Sequence, residues 1–207
     1  MAIFNICFSS CVLLMLTLFT RTSTGLPVRA LSSVKCRECS VLFRDLLLNI
    51  TELLNSDLRY GITSDEIVVK SKSDTAVACA PNLIQNPGCM MQRNSSFSES
   101  ECLHNIIKDL AHYSAAIESY INSTHRRSDT EVQLLKPTLG MIQSLRKNCS
   151  LMPDEEEDSS EVEAAQLWGN SSFTNRQQMY KMMRGFYVRT ITISRAMGYI
   201  ASGDHRN

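Results

Sequence analysis

The chain has 207 residues, which is enough for one domain with a sizeable hydrophobic core. Its 21 Lys and Arg side chains balance 21 Asp and Glu side chains, and it has no dense lysine run with interleaved aromatic residues, so the composition argues against a nucleic-acid-binding protein. No phosphate-binding loop, paired-carboxylate motif or histidine placed beside a nucleophile is present, so the sequence does not indicate an enzyme.

The N-terminal segment has the composition of a secretory signal peptide. An apolar run over residues 12–19 is followed by the small residues Ser23 and Gly25. We therefore predict a signal peptide over residues 1–25 and one domain over residues 26–207. The apolar run is too short to anchor the chain in a membrane, and no later stretch reaches the length of a membrane span. The sequence thus predicts a secreted, extracellular protein without membrane insertion.

The first predicted helix covers about residues 36–54 and begins with a Cys-x-x-Cys motif. Its apolar side chains recur on one arc: Leu42, Phe43, Leu46, Leu47, Ile50, Leu53 and Leu54. Cys36 and Cys39 have the spacing of metal ligands, but no second Cys-x-x-Cys or His-x-x-x-His follows. The βαβ pattern of a redox protein is also missing. We therefore predict neither a metal site nor a cofactor.

Two capping boxes mark the starts of the second and third predicted helices. Ser98 and Glu101 begin a helix that extends to about residue 122, and Ser128 and Glu131 begin another that extends to about residue 147. Apolar residues then recur at helical spacing in both segments, as expected for helices with one buried face.

The fourth predicted helix covers about residues 175–200, with Thr174 as its N-cap and Gln177 as the capping partner. It has two apolar faces. One is an ordinary core stripe: Met179, Met182, Met183, Phe186, Thr190, Ile193, Met197 and Ile200. The opposite face combines two arginines with three apolar or aromatic residues: Arg184, Val188, Ile191, Arg195 and Tyr199.

This second face has two explanations. The helix could be buried on both sides within a larger bundle, or the face could bind a partner protein. We favour the partner, because arginine among apolar residues is typical of protein interfaces. The basic residues of this helix, which has no acidic one, favour an acidic surface on that partner: Arg176, Lys181, Arg184, Arg189 and Arg195. The acidic tract at residues 154–158 is interpreted as a solvated loop.

The cysteine count fits an oxidising compartment. Of eight cysteines, Cys7 and Cys11 lie in the predicted signal peptide, so six remain. They allow up to three disulfides, and their spacing does not select among the possible pairings. Five N-x-[ST] sequons are candidate glycosylation sites in an exported chain: Asn49, Asn94, Asn122, Asn148 and Asn170.

The lengths of the connections predict the topology. Only a few residues join the second and third helices, so these two helices must be antiparallel neighbours. The first connection, about residues 55–97, and the third, about residues 148–174, are long enough to cross the full length of a bundle. Long first and third connections around a short second one favour an all-α, up-up-down-down four-helix bundle with two crossover loops, the topology of long-chain helical cytokines.

Several segments resemble the interleukin-12 alpha subunit family. Residues 189–200, RTITISRAMGYI, are similar to its last helix. The segment Ala78-Cys79-Ala80-Pro81, continuing through Cys89 and Ser96-Phe97 to Cys102-Leu103 and then to residues 107–113, IKDLAHY, is similar to its cysteine-framed region. Residues 63–67, TSDEI, match a shorter motif of the first loop. The chain is therefore identified as a member of this family, and its divergence is typical of a non-mammalian vertebrate form.

The resemblance implies a secreted, non-enzymatic cytokine subunit. It implies a heterodimer with a beta-type subunit that resembles a soluble class I cytokine receptor. It also implies signalling through a two-chain class I cytokine receptor that promotes interferon-gamma production by T cells and natural killer cells. In the family, an arginine on the last helix enters an acidic pocket of the beta subunit, and alignment places Arg195 at that position.

Disulfide pairs are also implied by the resemblance. It implies the bond Cys79–Cys102. Cys89 stands either for the family's intrachain partner of the first-helix cysteine or for its interchain cysteine, and its spacing to Cys102 favours the intrachain bond Cys39–Cys89. Cys36 and Cys149 would then bond each other, or one of them would bond the beta subunit. A further bond of the family is missing, because the two aligned positions are Ile62 and Tyr180.

Two other classes of secreted helical protein fit the sequence less well. A saposin-like lipid-binding protein also has six cysteines and begins with Cys-x-x-Cys, but it ends with a second cysteine pair, whereas Cys149 stands alone here. A self-sufficient monomeric helical hormone would leave the outward face of the last helix without a cover. The heterodimeric cytokine subunit remains the leading hypothesis.

Overall fold

The structure is a computed structural model that describes residues 32–63, 67–68, 74–80, 83–85, 91–93, 97–124, 129–150 and 167–203. Four long helices form it: α1 (Ser33–Leu54), α3 (Glu99–Asn122), α4 (Asp129–Cys149) and α5 (Ser172–Ser202). The first crossover contains a 3-10 helix (Asp57–Arg59), the short helix α2 (Asp74–Ala78) and the strands β1 (Leu83–Gln85) and β2 (Met91–Arg93). The two strands pair antiparallel, with Ile84 opposite Gln92. The predicted signal peptide lies outside the described residues.

Serine N-caps begin three of the long helices. Ser32 caps α1, and Ser98 caps α3 by accepting a hydrogen bond from the N–H of Glu101 at 3.2 Å, as its capping box predicted. The prediction for α5 was wrong. Its N-cap is Ser171, whose hydroxyl accepts from the N–H of Thr174 at 3.4 Å, so Thr174 lies inside the first turn. The predicted cap of α4, at position 128, lies outside the described residues.

Contacts between helix ends establish the topology. Ser194, in the last third of α5, donates to the carbonyl oxygen of Phe43 at the middle of α1. Arg176, in the first turns of α5, lies instead beside Gly61, which follows the end of α1. The ring of Tyr199, near the end of α5, packs against Phe97, directly before α3. Helix α5 therefore runs antiparallel to both α1 and α3.

The short connection and a disulfide orient α4 in the same way. Tyr120 at the end of α3 donates to Glu131 at the start of α4 at 2.7 Å. A disulfide joins Cys39 near the start of α1 to Cys149 at the end of α4. Because α4 and α5 are both antiparallel to α1 and α3, the bundle is up-up-down-down, and the all-α fold prediction is confirmed.

The core lies where the helical periodicity placed it. All eight residues of the predicted core stripe of α5 are buried. At its centre the ring of Phe186 stacks on the ring of Tyr113 from α3, with 4.1 Å between the centroids. Such ring pairs contribute about 0.5–1.5 kcal/mol beyond the area they bury. Ile62 and Tyr180, the two positions at which the resemblance implied a missing bridge, are both buried in this core.

The disulfides agree with the resemblance in one bond and correct it in the other. Cys79 bonds Cys102 with 4.7 Å between their Cα atoms, and this bond holds the end of α2 against α3. Cys39 bonds Cys149 with 5.9 Å between their Cα atoms, so the pairing Cys39–Cys89 was wrong. The antiparallel packing of α1 and α4 brings these two residues together.

The structure also places Cys36 and Cys149, the two cysteines that the resemblance left without a fixed partner. Cys149 is bonded within the chain, so it pairs neither with Cys36 nor with another chain. The Cys36 thiol is fully buried, 3.9 Å from a carboxylate oxygen of Glu99. Cys89 lies outside the described residues.

Within the described residues, no helix combines the length and apolar character needed to cross a bilayer. The same residues contain no group of three or more His, Cys, Asp or Glu side chains arranged to hold a metal ion.

Candidate partner-binding surface

The outward side of α5 carries the surface that the sequence singled out. We call it the outer face and define it by Arg184, Val188, Ile191, Arg195 and Tyr199. Val188 is 44% exposed, Arg195 is exposed, and the other three are half-buried. The outer face therefore combines exposed apolar area with an exposed guanidinium on one side of a continuous helix.

The opposite side of α5 fixes the rotation of the helix. Its core stripe is buried against the bundle, where the ring of Phe186 stacks on the ring of Tyr113 from α3. A buried ion pair adds a second constraint, because Nε of Arg189 lies 3.3 Å from a carboxylate oxygen of Asp109 on α3. Thr75 of α2 donates to the same oxygen at 2.5 Å. Helix α5 cannot rotate without breaking this buried cluster.

Arg189 and Arg176 do not belong to the surface that sequence reasoning assigned to them. Each is only 5% exposed. Arg176 lies 4.0 Å from a carboxylate oxygen of Glu131, at the other end of α5 from the outer face. The missed residues are the acidic partners, Asp109 and Glu131. The sequence contains only a weak indication that these two side chains are buried, namely that each lies at helical spacing among apolar residues.

Arg195 is the basic residue of the outer face that the fold leaves available. Within the part of the chain that the structure describes, its guanidinium makes no hydrogen bond or ion pair. The residues on either side are held by the bundle, since Ser194 donates to the backbone of α1 at 3.3 Å and Ala196 is 6% exposed. The planar guanidinium of an exposed arginine on a rigid support has the geometry to pair bidentately with a carboxylate.

Tyr199 contributes to the outer face from its edge. The ring is half-buried and packs edge-on against Phe97, with 5.4 Å between the centroids and 79° between the planes. This contact limits the rotation of the tyrosine and keeps an aromatic surface one turn beyond Arg195. A rigid aromatic side chain beside an arginine is typical of the central contacts of protein interfaces.

The asparagines of the predicted glycosylation sites differ in their exposure to solvent. Asn122, Asn148 and Asn170 are exposed at or near helix ends. Asn49 is half-buried within α1, where its side-chain oxygen accepts a hydrogen bond at 2.6 Å from the buried hydroxyl of Thr138 on α4. Asn94 lies outside the described residues. None of the four described sequons is on the outer face.

The chain is similar to known proteins over nearly its full length. The family model described as "Interleukin-12 alpha subunit" matches residues 7–203. The interleukin-12 subunit alpha of Equus caballus is 24% identical over 164 residues, which cover 68% of this chain and 70% of the horse protein. That of Cervus elaphus is 22% identical over 193 residues, which cover 80% of this chain and 83% of the deer protein. The family match includes all of α5 and therefore the whole outer face.

Proposed function

Because the chain belongs to the interleukin-12 alpha subunit family, we propose that this cytokine subunit is secreted and pairs with a receptor-like beta-type subunit through the outer face of α5. The heterodimer would engage a two-chain class I cytokine receptor and promote interferon-gamma production by T cells and natural killer cells. A cytokine subunit of this kind acts by binding and not by catalysis.

The observation that carries this proposal is the position of Arg195. The guanidinium is exposed, has no partner within the described chain, and stands between the apolar side chain of Ile191 and the ring of Tyr199. A carboxylate of the partner would pair with it while the surrounding apolar contacts exclude water. Truncating such a central arginine typically costs about 2–4 kcal/mol of binding free energy, which is about 30-fold to 1,000-fold in affinity.

Co-secretion with an interleukin-12-type beta subunit tests the proposal. The wild type and Arg195→Ala are each expressed with a tagged beta subunit, and the complex is captured from the medium with and without reductant. We expect capture of the wild type and strong loss for Arg195→Ala, and the captured wild-type heterodimer should induce interferon-gamma in T cells. Survival of the complex only without reductant would show that a disulfide joins the two chains.

Lys136→Ala is the matched control. Lys136 is exposed on α4, and its removal also deletes one positive charge. We expect this variant to be captured like the wild type, because α4 lies diagonally across the bundle from α5. Equal loss in both variants would mean that charge alone, and not the outer face, governs capture. A wild type that is secreted alone as a stable monomer and captures no beta subunit would contradict the proposal and favour a monomeric hormone.

A further inference from the structure

Gly198 is an exposed glycine inside α5, three residues after Arg195 and seven after Ile191. These spacings place it on the same side of the helix as both residues. Glycine within a helix lowers stability relative to alanine, because its backbone loses more freedom on folding. The helix is closed by another residue, Gly203, which adopts the left-handed conformation at φ 77°. Gly198 therefore has no capping role.

No contact among the described residues explains why position 198 lacks a side chain. Among the residues that the structure describes, no atom of another part of the chain lies within 4 Å of a Cβ built on Gly198. Among the described glycines, Gly61 and Gly203 have a positive φ, and Gly198 does not. Neither packing against the described residues nor backbone conformation therefore requires glycine at position 198 or at Gly140 of α4, and Gly198 differs in lying on the outward side of α5 beside Arg195.

We propose that Gly198 is the point of closest approach between α5 and the beta-type subunit, where the missing side chain lets the partner's chain lie against the helix backbone. This inference rests on the proposed function. Side chains on a helix are tilted toward its N-terminus, so that of Arg195 is inclined away from Gly198. Ser194 is tied to α1, and Tyr199 is packed on Phe97. These three placements leave the helix backbone at Gly198 uncovered beside the arginine. We call this uncovered backbone the bare strip.

The bare strip has a consequence for the arginine contact. An arginine that enters a pocket needs the wall of that pocket to close around its stem, and a bulky neighbour one turn away would hold the wall off. A glycine at this position allows the wall to reach the backbone, which excludes water from the charged pair. Gly198 would thus decide how deeply Arg195 is inserted, while adding no contact surface of its own side chain.

Gly140 supplies the matched control. It is also exposed, lies within α4, and has no other part of the chain within 4 Å of an added Cβ. Alanine at either position should raise the melting temperature by about 1–3 °C, because it restricts the unfolded chain without a clash in the fold. The two positions should differ only when the beta subunit is present.

Binding is measured by co-expressing each variant with a limiting amount of tagged beta subunit and quantifying the captured chain from both cell lysate and medium. We expect Gly198→Gln to reduce capture about tenfold or more, and Gly140→Gln to stay within about twofold of the wild type. Gly198→Ala should bind about threefold more weakly than Gly140→Ala even though both stabilise the helix, and this pair keeps the test decisive if glutamine impairs folding.

The outcomes separate the two proposals. If both Gly198 variants are captured as well as their Gly140 counterparts while Arg195→Ala is lost, the role of Gly198 is refuted and the proposed function stands. If the wild type captures no beta subunit, the proposed function fails, and the role of Gly198 fails with it.

Discussion

The buried pair of Asp109 and Arg189 shows how single residues fix the geometry of the outer face. Two charges in the interior are costly to desolvate, and the pair is tolerated because Nε of Arg189 lies 3.3 Å from a carboxylate that also accepts from Thr75. The cluster connects α3, α5 and the short helix α2 of the first crossover. It therefore ties the rotation of α5 to the position of the crossover.

Asp109→Asn should destabilise the bundle. The change removes the charge that Nε of Arg189 faces at 3.3 Å in the interior, and breaking such a pair costs about 3–5 kcal/mol. Urea denaturation followed by circular dichroism measures the free energy of unfolding. The double variant Asp109→Asn with Arg189→Met is the control, because it removes both charges and should recover part of the loss. A single variant as stable as the wild type would contradict the role assigned to this pair.

At the scale of elements, the start of α5 is set by a serine that the sequence pattern did not identify. The hydroxyl of Ser171 accepts from the N–H of Thr174. Upstream, the side chain of Asn175 bonds both the N–H and the carbonyl oxygen of Gly169 at 2.8 Å. These two hydrogen bonds hold the segment before the helix against its first turn, so position 171 becomes the last residue before the helix. The pattern favoured Thr174 because the apolar periodicity begins only after it.

Ser171→Ala should weaken α5 and Thr174→Ala should not. Loss of an N-cap costs about 1 kcal/mol, and the sequon at Asn170 survives because its third residue is Ser172. Thermal unfolding of the two alanine variants, each beside the wild type, measures the difference. A larger loss for Thr174→Ala than for Ser171→Ala would restore the original assignment of the cap.

The elements that could be predicted share one property, which is that their signals are local. Helical periodicity encodes which face of α5 is buried, and the capping box at Ser98 encodes the start of α3, because both depend on residues within a few positions. The partner of Arg189 lies 80 positions earlier, at Asp109. Nothing near Arg189 in the sequence distinguishes it from Arg195, which is exposed. Burial of a charge is decided by tertiary packing, and the sequence pattern does not contain that information.

At the scale of the whole molecule, the two disulfides constrain different parts of the fold. The bond between Cys39 and Cys149 closes a separation of 110 residues and joins α1 to α4, so it spans most of the bundle. The bond between Cys79 and Cys102 closes a separation of 23 residues and attaches the first crossover to α3. Their pairing follows from topology, because antiparallel helices bring the start of one beside the end of the other.

Removing each bond should therefore have a distinct effect. In the chain-entropy account, closing about 100 residues stabilises the folded state by about 4–5 kcal/mol and closing about 20 residues by about 3 kcal/mol. We expect Cys39→Ala with Cys149→Ala to lower the melting temperature and to raise hydrogen exchange throughout α1 and α4. We expect Cys79→Ala with Cys102→Ala to raise exchange mainly in α2, where Thr75 would lose its fixed position beside Asp109. Equal exchange profiles for the two double variants would contradict this division, because they would mean that the first crossover and the bundle unfold as one unit.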